Sequence, residues 1–244
     1  MLTAYLKRLY ERTMREAYAL AESEIIEALA GGGNCLDCGA ADGYRYQWLS
    51  QAMDLPRDNY SGIEWNVQAV EKARHKNINV QRGDLNHALP FEDETFSCVF
   101  ALSVLEHLLY GCRFMKECHR TLKPGGTLVL LTPNISTYFT AMLILLGKMP
   151  SSGPHPDSEI LLEQEELFIV RSSERRPDVE SDMPVHRHLV VFSFLVLRDY
   201  LNMIGFSDVK GYGFGLYPFP PFMQKTLEGL DPYHCHQMVF VAKR

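Results

Sequence analysis

The sequence Asn34-Cys-Leu-Asp-Cys-Gly-Ala-Ala-Asp-Gly-Tyr44 decides the fold of this chain. Two apolar residues, Cys35 and Leu36, lead into the acid Asp37, and small residues then stand at positions 39, 41 and 43. Small residues are needed where a backbone turns sharply and lies against a ligand, because a larger side chain would fill the ligand's space. The stretch therefore predicts a strand, a ligand-binding loop and then a helix over 44–53.

The spacing within this loop is Asp37-x-Gly39-x-Ala41-x-Gly43. It differs from the Gly-x-Gly-x-x-Gly fingerprint of dinucleotide-binding folds, in which the helix N-terminus is reserved for a pyrophosphate. The spacing therefore indicates a ligand without a pyrophosphate, and it disfavours an NAD-dependent dehydrogenase.

Strand and helix patterns alternate through the first 133 residues. After the strand that begins at Asn34, strands are predicted at 60–65, 79–82, 96–102 and 127–132, with helices at 44–53, 67–74 and 113–122. Such alternation predicts a doubly wound parallel sheet. Ligands of these sheets lie beyond the carboxyl ends of the strands, where Asp37, Glu64, Asp84 and Ser103 fall.

We expect one domain over residues 1–244, because a chain of this length with 46% hydrophobic residues can bury a full core. Apolar residues recur with a helical period in residues 1–30, which predicts one or two helices that form a cap over the ligand edge. Residues 147–188 are rich in Pro, Ser, Glu and Arg and exceed an ordinary connection in length. They predict a lid-like insertion or a disordered excursion.

Composition narrows the class of partner. The net charge is -6 and the sequence has no long basic block, so a nucleic-acid partner is not expected and a small-molecule substrate is. Six cysteines without a disulfide pattern or a signal sequence indicate a cytoplasmic location. The most apolar run, 138–147, is too short for a transmembrane segment, which needs about 20 residues, so at most a peripheral membrane contact is expected.

The loop and the pieces that follow it resemble the class I S-adenosylmethionine-dependent methyltransferases, in particular the type 11 and ubiquinone-biosynthesis-like small-molecule enzymes. The pieces are Gly62-Ile-Glu-Trp-Asn66, Gly83-Asp-Leu85, Phe100-Ala-Leu-Ser-Val-Leu-Glu-His107 and Leu122-Lys-Pro-Gly-Gly126. The resemblance extends from about Glu24 to Lys243. It implies a seven-stranded Rossmann-like sheet in which predicted strands at 209–212 and 237–242 pair antiparallel at one edge. Ala41 stands where the family usually has glycine, so one extra methyl must fit beside the cofactor.

The resemblance implies that S-adenosyl-L-methionine is the cofactor and that it is bound by Asp37, Gly39, Ala41, Gly43, Glu64, Trp65, Asp84, Leu85 and Leu102. Glu64 is expected to accept hydrogen bonds from the ribose hydroxyls. Asp84 is expected to meet the adenine amino group, and Asp37 to lie near the methionine end through water. The alternatives are a solvated loop acid at Glu64 and a turn-capping acid at Asp84.

Histidines are the candidate catalytic residues, because an oxygen acceptor must lose a proton during methyl transfer. His107 follows Glu106 just past the fourth strand, and His188 follows the insertion. The alternative for His107 is a helix-start histidine satisfied by the backbone, which is the commoner case, and His155 and His186 are weaker candidates because histidines of a lid are usually exposed. Tyr138 could contact the acceptor or serve as packing.

No metal site is expected from the sequence. The ubiquinone enzymes that the Leu-Glu-His string resembles have an acid three residues before the glutamate, and Ser103 stands there in this chain. Cys35-x-x-Cys38 lacks a second pair, and His234-Cys-His236 lacks a partner cluster for tetrahedral coordination.

The sequence thus predicts a cytoplasmic S-adenosylmethionine-dependent methyltransferase that yields S-adenosyl-L-homocysteine. Its acceptor is expected to be a small, partly apolar molecule such as a lipid, a quinone or a secondary-metabolite intermediate, methylated at oxygen and enclosed by residues 1–30 and 147–188. Two alternatives stay open. One is a cofactor-binding regulator or partner subunit without turnover, and the other is an NAD-dependent dehydrogenase, which the loop spacing opposes.

Overall fold

The computed structural model describes residues 2–158 and 187–244. The helices are α1 (Leu2–Leu29), α2 (Tyr44–Met53), α3 (Val67–His75), α4 (Gly111–Thr121), α5 (Tyr138–Leu145), α6 (Phe194–Met203) and α7 (Pro221–Leu230). The strands are β1 (Cys35–Cys38), β2 (Tyr60–Glu64), β3 (Val80–Arg82), β4 (Phe96–Leu102), β5 (Leu122–Pro133), β6 (Ser207–Phe214) and β7 (Gln237–Lys243). The predicted insertion at 147–188 falls mostly on 159–186, which lie outside the described residues, as does His186.

The strands of the described residues form one sheet in the order β3-β2-β1-β4-β5-β7-β6. Strands β1 to β5 pair in parallel, whereas β7 lies antiparallel between β5 and β6. The strand order reverses between β1 and β4, so the loops that follow these two strands open on the same crevice. The sheet confirms the predicted doubly wound Rossmann-like fold with an antiparallel last strand.

Strand β4 shows how apolar residues on both faces place it at the centre of the sheet. Val99 packs in an apolar layer with Phe114 of α4 and Leu197 of α6, and Phe100 packs on the opposite face in a layer with Ile25 of α1. All of these side chains are at most 1% exposed. Full burial of one such side chain stabilises the fold by about 1.5–3 kcal/mol, and a strand apolar on both faces requires helices on both sides.

Helix α1 is one continuous helix. Ala17, Ala21, Ile25 and Leu29 follow each other at four-residue intervals and are at most 1% exposed, which gives the helix one buried stripe. The stripe packs on β4, β5 and β7. The helix therefore covers one face of the sheet, and its Tyr18 reaches the carboxyl end of β4.

The segments before and after residues 159–186 lie next to each other, close to Glu106. The N–H of His155 donates to the carbonyl of His188 at 2.9 Å, and the N–H of Leu189 donates to the carbonyl of Glu106 at 2.7 Å. His188 is thereby held at the carboxyl end of β4, beside the crevice.

Helix α5 begins the most apolar run of the chain but contains only 8 residues. A bilayer span needs about 20 residues in a helix. Among residues 2–158 and 187–244, the helices include none with both the length and the apolar character of a membrane span.

Candidate functional site

The loop after β1 turns back over the end of β2. Gly39 and Gly43 have φ angles of 83° and 76°, in the left-handed region that favours glycine. The N–H groups of Gly39 and Ala40 both donate to the carbonyl of Ile63, at 2.9 and 3.0 Å. The loop is therefore anchored on β2, and its other backbone groups lie at the edge where ligands of this fold bind.

The structure gives a different reason why positions 39 and 43 require glycine. A Cβ at Gly39 would lie 2.5 Å from the Cγ2 of Val104, and a Cβ at Gly43 would lie 2.8 Å from the Cγ2 of Ile78. Glycine is thus required by the backbone conformation and by neighbouring side chains, and the expectation that it leaves space for the ligand was incomplete. Ala41 also adopts a left-handed φ of 47°, so the backbone takes this conformation here without glycine.

Glu64 faces the loop. One carboxylate oxygen accepts from the N–H of Ala41 at 3.0 Å, and the other accepts from the N–H of Asn66 at 2.8 Å. The side chain is 8% exposed, whereas that of Trp65 points outward with 51% exposure. Each carboxylate oxygen has a second lone pair, so Glu64 can still accept hydrogen bonds from hydroxyl groups of a ligand.

Asp37 lies beneath the loop instead of in the crevice. Its carboxylate is 0% exposed and accepts a hydrogen bond from the hydroxyl of Tyr60 at 2.7 Å. Burial raises its pKa, while Arg45, 3.6 Å from its Oδ1, and Tyr60 act in the opposite direction. Among the described residues Oδ1 has no hydrogen-bond partner. In this conformation Asp37 supports the loop from below and is screened from direct contact with a ligand.

Arg45 is a site residue that the sequence reasoning missed. Its guanidinium donates to the carbonyl of Gly39 at 3.2 Å and to the carbonyl of Leu102 at 3.3 Å. It thereby ties the loop after β1 to the end of β4, and it holds the backbone of Leu102, whose side chain is 2% exposed. The only signal in the sequence was an arginine two positions after Gly43, at the start of a helix.

Asp84 stands at the edge of the crevice, two residues beyond β3. Its side chain is 54% exposed, and its Oδ1 accepts from the N–H of Asn86 at 2.9 Å. The predicted turn-capping role is therefore present in the structure, and the second oxygen points to the surface side of the turn, 3.6 Å from Nε2 of His87. Leu85 is 7% exposed and belongs to the core beneath this turn.

A group of three side chains, Glu106, His107 and His188, meets past the end of β4. One nitrogen or oxygen atom from each lies within 4.8 Å of the others. Glu106 is 2% exposed, and its Oε2 accepts from the hydroxyl of Thr132 at 3.0 Å. No metal ligands were expected from the sequence, and the structure brings together three side chains of the metal-binding types.

Both imidazoles of this group are held by backbone carbonyls. Nδ1 of His107 lies 3.0 Å from the carbonyl oxygen of Arg187, and Nδ1 of His188 lies 2.6 Å from that of Ser152. A nitrogen that faces a carbonyl must be the protonated one, so Nε2 carries the lone pair in both rings. Burial lowers the pKa of both imidazoles, that of His188 to about 3, which keeps them neutral.

Glu106 differs from its neighbours in the direction of its pKa shift. Burial raises the pKa of its carboxyl group to about 7, and the hydrogen bond from Thr132 acts in the opposite direction. The ring of His155 stacks on His188 with the centroids 4.9 Å apart, and burial lowers its pKa as well. The site beyond β4 is therefore poor in positive charge.

Helix α1 closes this end of the crevice. The hydroxyl of Tyr18 donates to Oγ of Ser103 at 3.1 Å, so Ser103 is engaged by the helical cap. Further along α1, the ring of Tyr10 contacts the edge of His236, with 5.9 Å between the ring centroids, and the ring of Tyr217 lies 5.3 Å from His236. Tyrosine and histidine rings thus pack together near Glu106 and His188.

Other candidate residues from the sequence lie elsewhere. Cys35 and Cys38 are 0% exposed, and burial raises the pKa of both thiols, as expected for buried structural cysteines. The hydroxyl of Tyr138 donates to Asp231 at 2.7 Å, and its ring stacks on His234. In this structure Tyr138 therefore contacts α7 and the turn that follows it.

The donor and acceptor set fits the proposed cofactor. Glu64 and Asp84 place carboxylates at two neighbouring strand ends, and a nucleoside presents hydroxyl and amino donors to such acceptors. The anchored loop after β1 lies on the other side of Glu64 from Asp84 and offers backbone groups in place of side chains, which suits a ligand that lies flat against it.

Comparisons with known proteins point to methyltransferases. The methyltransferase domain family matches residues 36–130, from β1 into β5. A demethylmenaquinone methyltransferase of Staphylococcus epidermidis is 29% identical over 137 residues, which cover 48% of this chain and 54% of that protein. An uncharacterized 37.1 kDa protein of Streptomyces fradiae is 31% identical over 138 residues, which cover 54% of this chain and 39% of that protein. The chain thus spans about half, or less, of the length of these relatives.

Solved structures share the fold. An S-adenosylmethionine-dependent methyltransferase of Thermotoga maritima matches with a TM-score of 0.55 at 18% identity, over 99% of this chain and 97% of that one. Phosphoethanolamine N-methyltransferase 2 of Haemonchus contortus, solved with S-adenosylhomocysteine, matches with a TM-score of 0.55 at 13% identity, over 87% of this chain and 49% of that one. The family resemblance drawn from the sequence motifs is confirmed.

Proposed function

Because this chain carries a class I S-adenosylmethionine-dependent methyltransferase domain, we propose that it transfers a methyl group to a small-molecule acceptor at oxygen. One observation carries the proposal more than any other. The carboxylate of Glu64 is turned onto the loop after β1 and held there by the N–H of Ala41. An acid in that place accepts hydrogen bonds from vicinal ribose hydroxyls, the recognition that a nucleoside cofactor requires.

Different residues of the chain bind different parts of the cofactor. Glu64 takes the ribose, Asp84 takes the adenine amino group with its outward oxygen, and the loop from Gly39 to Gly43 supports the methionine end. Arg45 holds the loop and the backbone of Leu102 in place through its two hydrogen bonds. When bound, S-adenosylmethionine supplies a methyl group on a sulfonium, which needs no further activation as a leaving group.

The acceptor lies beyond β4 in this proposal, between Ser103 and His188. The chain holds the acceptor oxygen in line with the methyl group and excludes water, which supplies most of the rate enhancement in such transfers. The methyl carbon bonds to the oxygen as the bond to sulfur breaks, and the hydroxyl proton passes to Nε2 of His107 or His188. In both rings Nδ1 faces a backbone carbonyl, so Nε2 is the nitrogen that can accept the proton.

A partly apolar, ring-containing acceptor fits best. The rings of Tyr10, Tyr217 and His236 pack against one another close to the histidine pair beyond β4. Apolar and aromatic walls with a few polar groups are typical of small-molecule sites. The similarity to a demethylmenaquinone methyltransferase supports a quinol or phenol as the first acceptor class to examine, with ring carbon as the second acceptor atom.

Incubation of the chain with methyl-labelled S-adenosylmethionine and a panel of quinols, phenols and catechols tests the proposal. Label is expected in at least one of these acceptors, and mass fragmentation separates a methyl ether from a ring methyl. A protein that binds S-adenosylhomocysteine but labels nothing in this panel or in a small-molecule and lipid extract would instead be a cofactor-binding regulator or partner subunit. Binding of NAD in preference to S-adenosylhomocysteine would favour a dehydrogenase.

A further inference from the structure

We propose that Glu106, His107 and His188 form a binding site for a divalent transition-metal ion, with Zn²⁺ as the first candidate. Two imidazoles and one carboxylate are the ligands that Zn²⁺ takes at catalytic sites, where a fourth position stays open. The inference rests on the proposed function only for its consequence, since the ligand set itself is a property of the described residues.

The three ligand atoms are close enough to converge on one ion. They all lie within 4.8 Å of one another. In a tetrahedral site with metal bonds of about 2.1 Å the ligand atoms are separated by about 3.4 Å, so small side-chain rotations bring them to an ion. The rings of His107 and His188 are already in edge contact, with 5.1 Å between their centroids.

The surroundings of the three side chains are those of metal ligands. A metal-bound histidine almost always donates its other ring N–H to a carbonyl or carboxylate, which fixes the ring and its tautomer. Both rings do so here, through the carbonyls of Arg187 and Ser152. The ligating carboxylate is usually hydrogen-bonded in turn, and Glu106 accepts from Thr132.

The charge balance also favours a cation. Glu106 is 2% exposed, and the hydrogen bond from Thr132 leaves further lone pairs on its carboxylate. A buried carboxylate is costly unless it is paired, neutralised or coordinates a metal. Nδ1 of each imidazole faces a backbone carbonyl, so the other nitrogen, Nε2, is the one that would face an ion.

The third ligand distinguishes this site from the sequence pattern of the ubiquinone enzymes. In the ubiquinone enzymes an acid stands at the position of Ser103, and here the Ser103 hydroxyl is taken by Tyr18. His188 comes instead from the chain that follows residues 159–186, and it is fixed at β4 by the hydrogen bonds of its neighbour Leu189 and of His155. This set of three ligands therefore depends on how this chain brings His188 back to the end of β4.

A cation here deepens the proposed function. Bound to an acceptor hydroxyl, a divalent ion lowers the pKa of that hydroxyl, so its proton can leave to water at neutral pH. The two imidazoles then serve as ligands, and proton transfer to them belongs to the metal-free protein alone. Methyl transfer should accordingly be faster with the cation than after chelation.

Titration of the chelator-treated chain with Co²⁺ and Zn²⁺ tests the site without any acceptor. We expect one equivalent of Co²⁺ to give visible d–d absorption of a low-symmetry site, displaced by one equivalent of Zn²⁺. His188→Ala and Glu106→Gln should each weaken binding about 10- to 100-fold or more. His119→Ala is the matched control, because His119 lies on α4 against Phe206 and should leave the titration unchanged.

The outcomes separate this proposal from the proposed function. Retained S-adenosylhomocysteine binding and circular dichroism show that a variant is folded, and Glu106→Gln stands in if His188→Ala does not fold. Absence of stoichiometric Co²⁺ binding by the wild type, or unchanged affinity in folded His188→Ala, overturns the metal site while leaving methyl transfer intact. Metal binding without S-adenosylhomocysteine binding would overturn the proposed function alone.

Discussion

The backbone N–H of Ala41 donates to the carboxylate of Glu64 across 3.0 Å, although the two residues are 23 positions apart in the chain. This bond joins the small-residue loop after β1 to the acid that ends β2. Because a second lone pair stays available on the same oxygen, the contact orients Glu64 toward a ligand without using up its capacity to accept hydrogen bonds. The cofactor end of the site is therefore built from one loop and one acid.

Gly39→Ala should destabilise the fold and weaken cofactor binding. The new methyl would be held at a φ of 83° and would approach Val104 Cγ2 to 2.5 Å. Left-handed backbone and overpacking each cost about 1–3 kcal/mol. Urea unfolding measures the loss, and Gly39→Ala with Val104→Ala should recover only the overpacking part. Full recovery in the double variant would show that backbone conformation is not the constraint.

Arg45→Met should be strongly destabilising because it leaves the carboxylate of Asp37 buried without its cation. The guanidinium lies 3.6 Å from Asp37 and holds the carbonyls of Gly39 and Leu102. Breaking a buried pair from one side costs about 3–5 kcal/mol. In urea unfolding, Arg45→Met with Asp37→Asn should be more stable than Arg45→Met alone. Additive losses would contradict a coupled pair.

Stability should fall in mild acid through His236. Burial lowers the pKa of this imidazole to about 4, whereas in the unfolded chain it keeps the ordinary value of 6.5. The unfolded chain therefore binds the proton first, and stability present above pH 6.5 is lost as the pH falls toward 4, by up to about 3 kcal/mol. Tyr10, Tyr217 and His188 face this ring.

His236→Phe isolates that contribution, because the ring is retained and the titrating group is removed. Urea unfolding at several pH values between 7.5 and 4.5 should show a shallower pH dependence in the variant than in the wild type. Identical slopes would mean that other groups cause the acid sensitivity.

The fold was predictable because its signals are local. An apolar run such as 96–102 can only be a central strand of a parallel sheet, and Gly31-Gly-Gly33 ends α1 wherever the helix packs. The apolar pattern of residues 194–204 also predicts a helix, with Ser193 as its N-cap, and the helix is present whereas the cap is wrong. Ser193 makes no side-chain capping bond, and the N–H of Phe194 donates instead to Asn134, which is 60 positions away.

Only those site residues whose position is set by a single sequence motif could be predicted. The direction of Glu64 follows from the strand that ends there, whereas the burial of Asp37 depends on Tyr60 and Arg45, which pack over it from β2 and α2. Glu106 and His188 are separated by 82 positions and by residues 159–186. Spacing rules describe neighbours in sequence and so could not bring them together.

Calorimetric titration of the chain with S-adenosylhomocysteine tests the central claim most directly. The wild type should bind one equivalent, and Glu64→Gln should bind about 10- to 100-fold more weakly, because hydrogen bonds to a charged group are worth about 1.5–3 kcal/mol. Glu71→Gln is the control, since Glu71 lies on the exposed side of α3 and should bind as the wild type does. Failure of the wild type to bind, or equal affinity in a folded Glu64→Gln variant, would contradict the account.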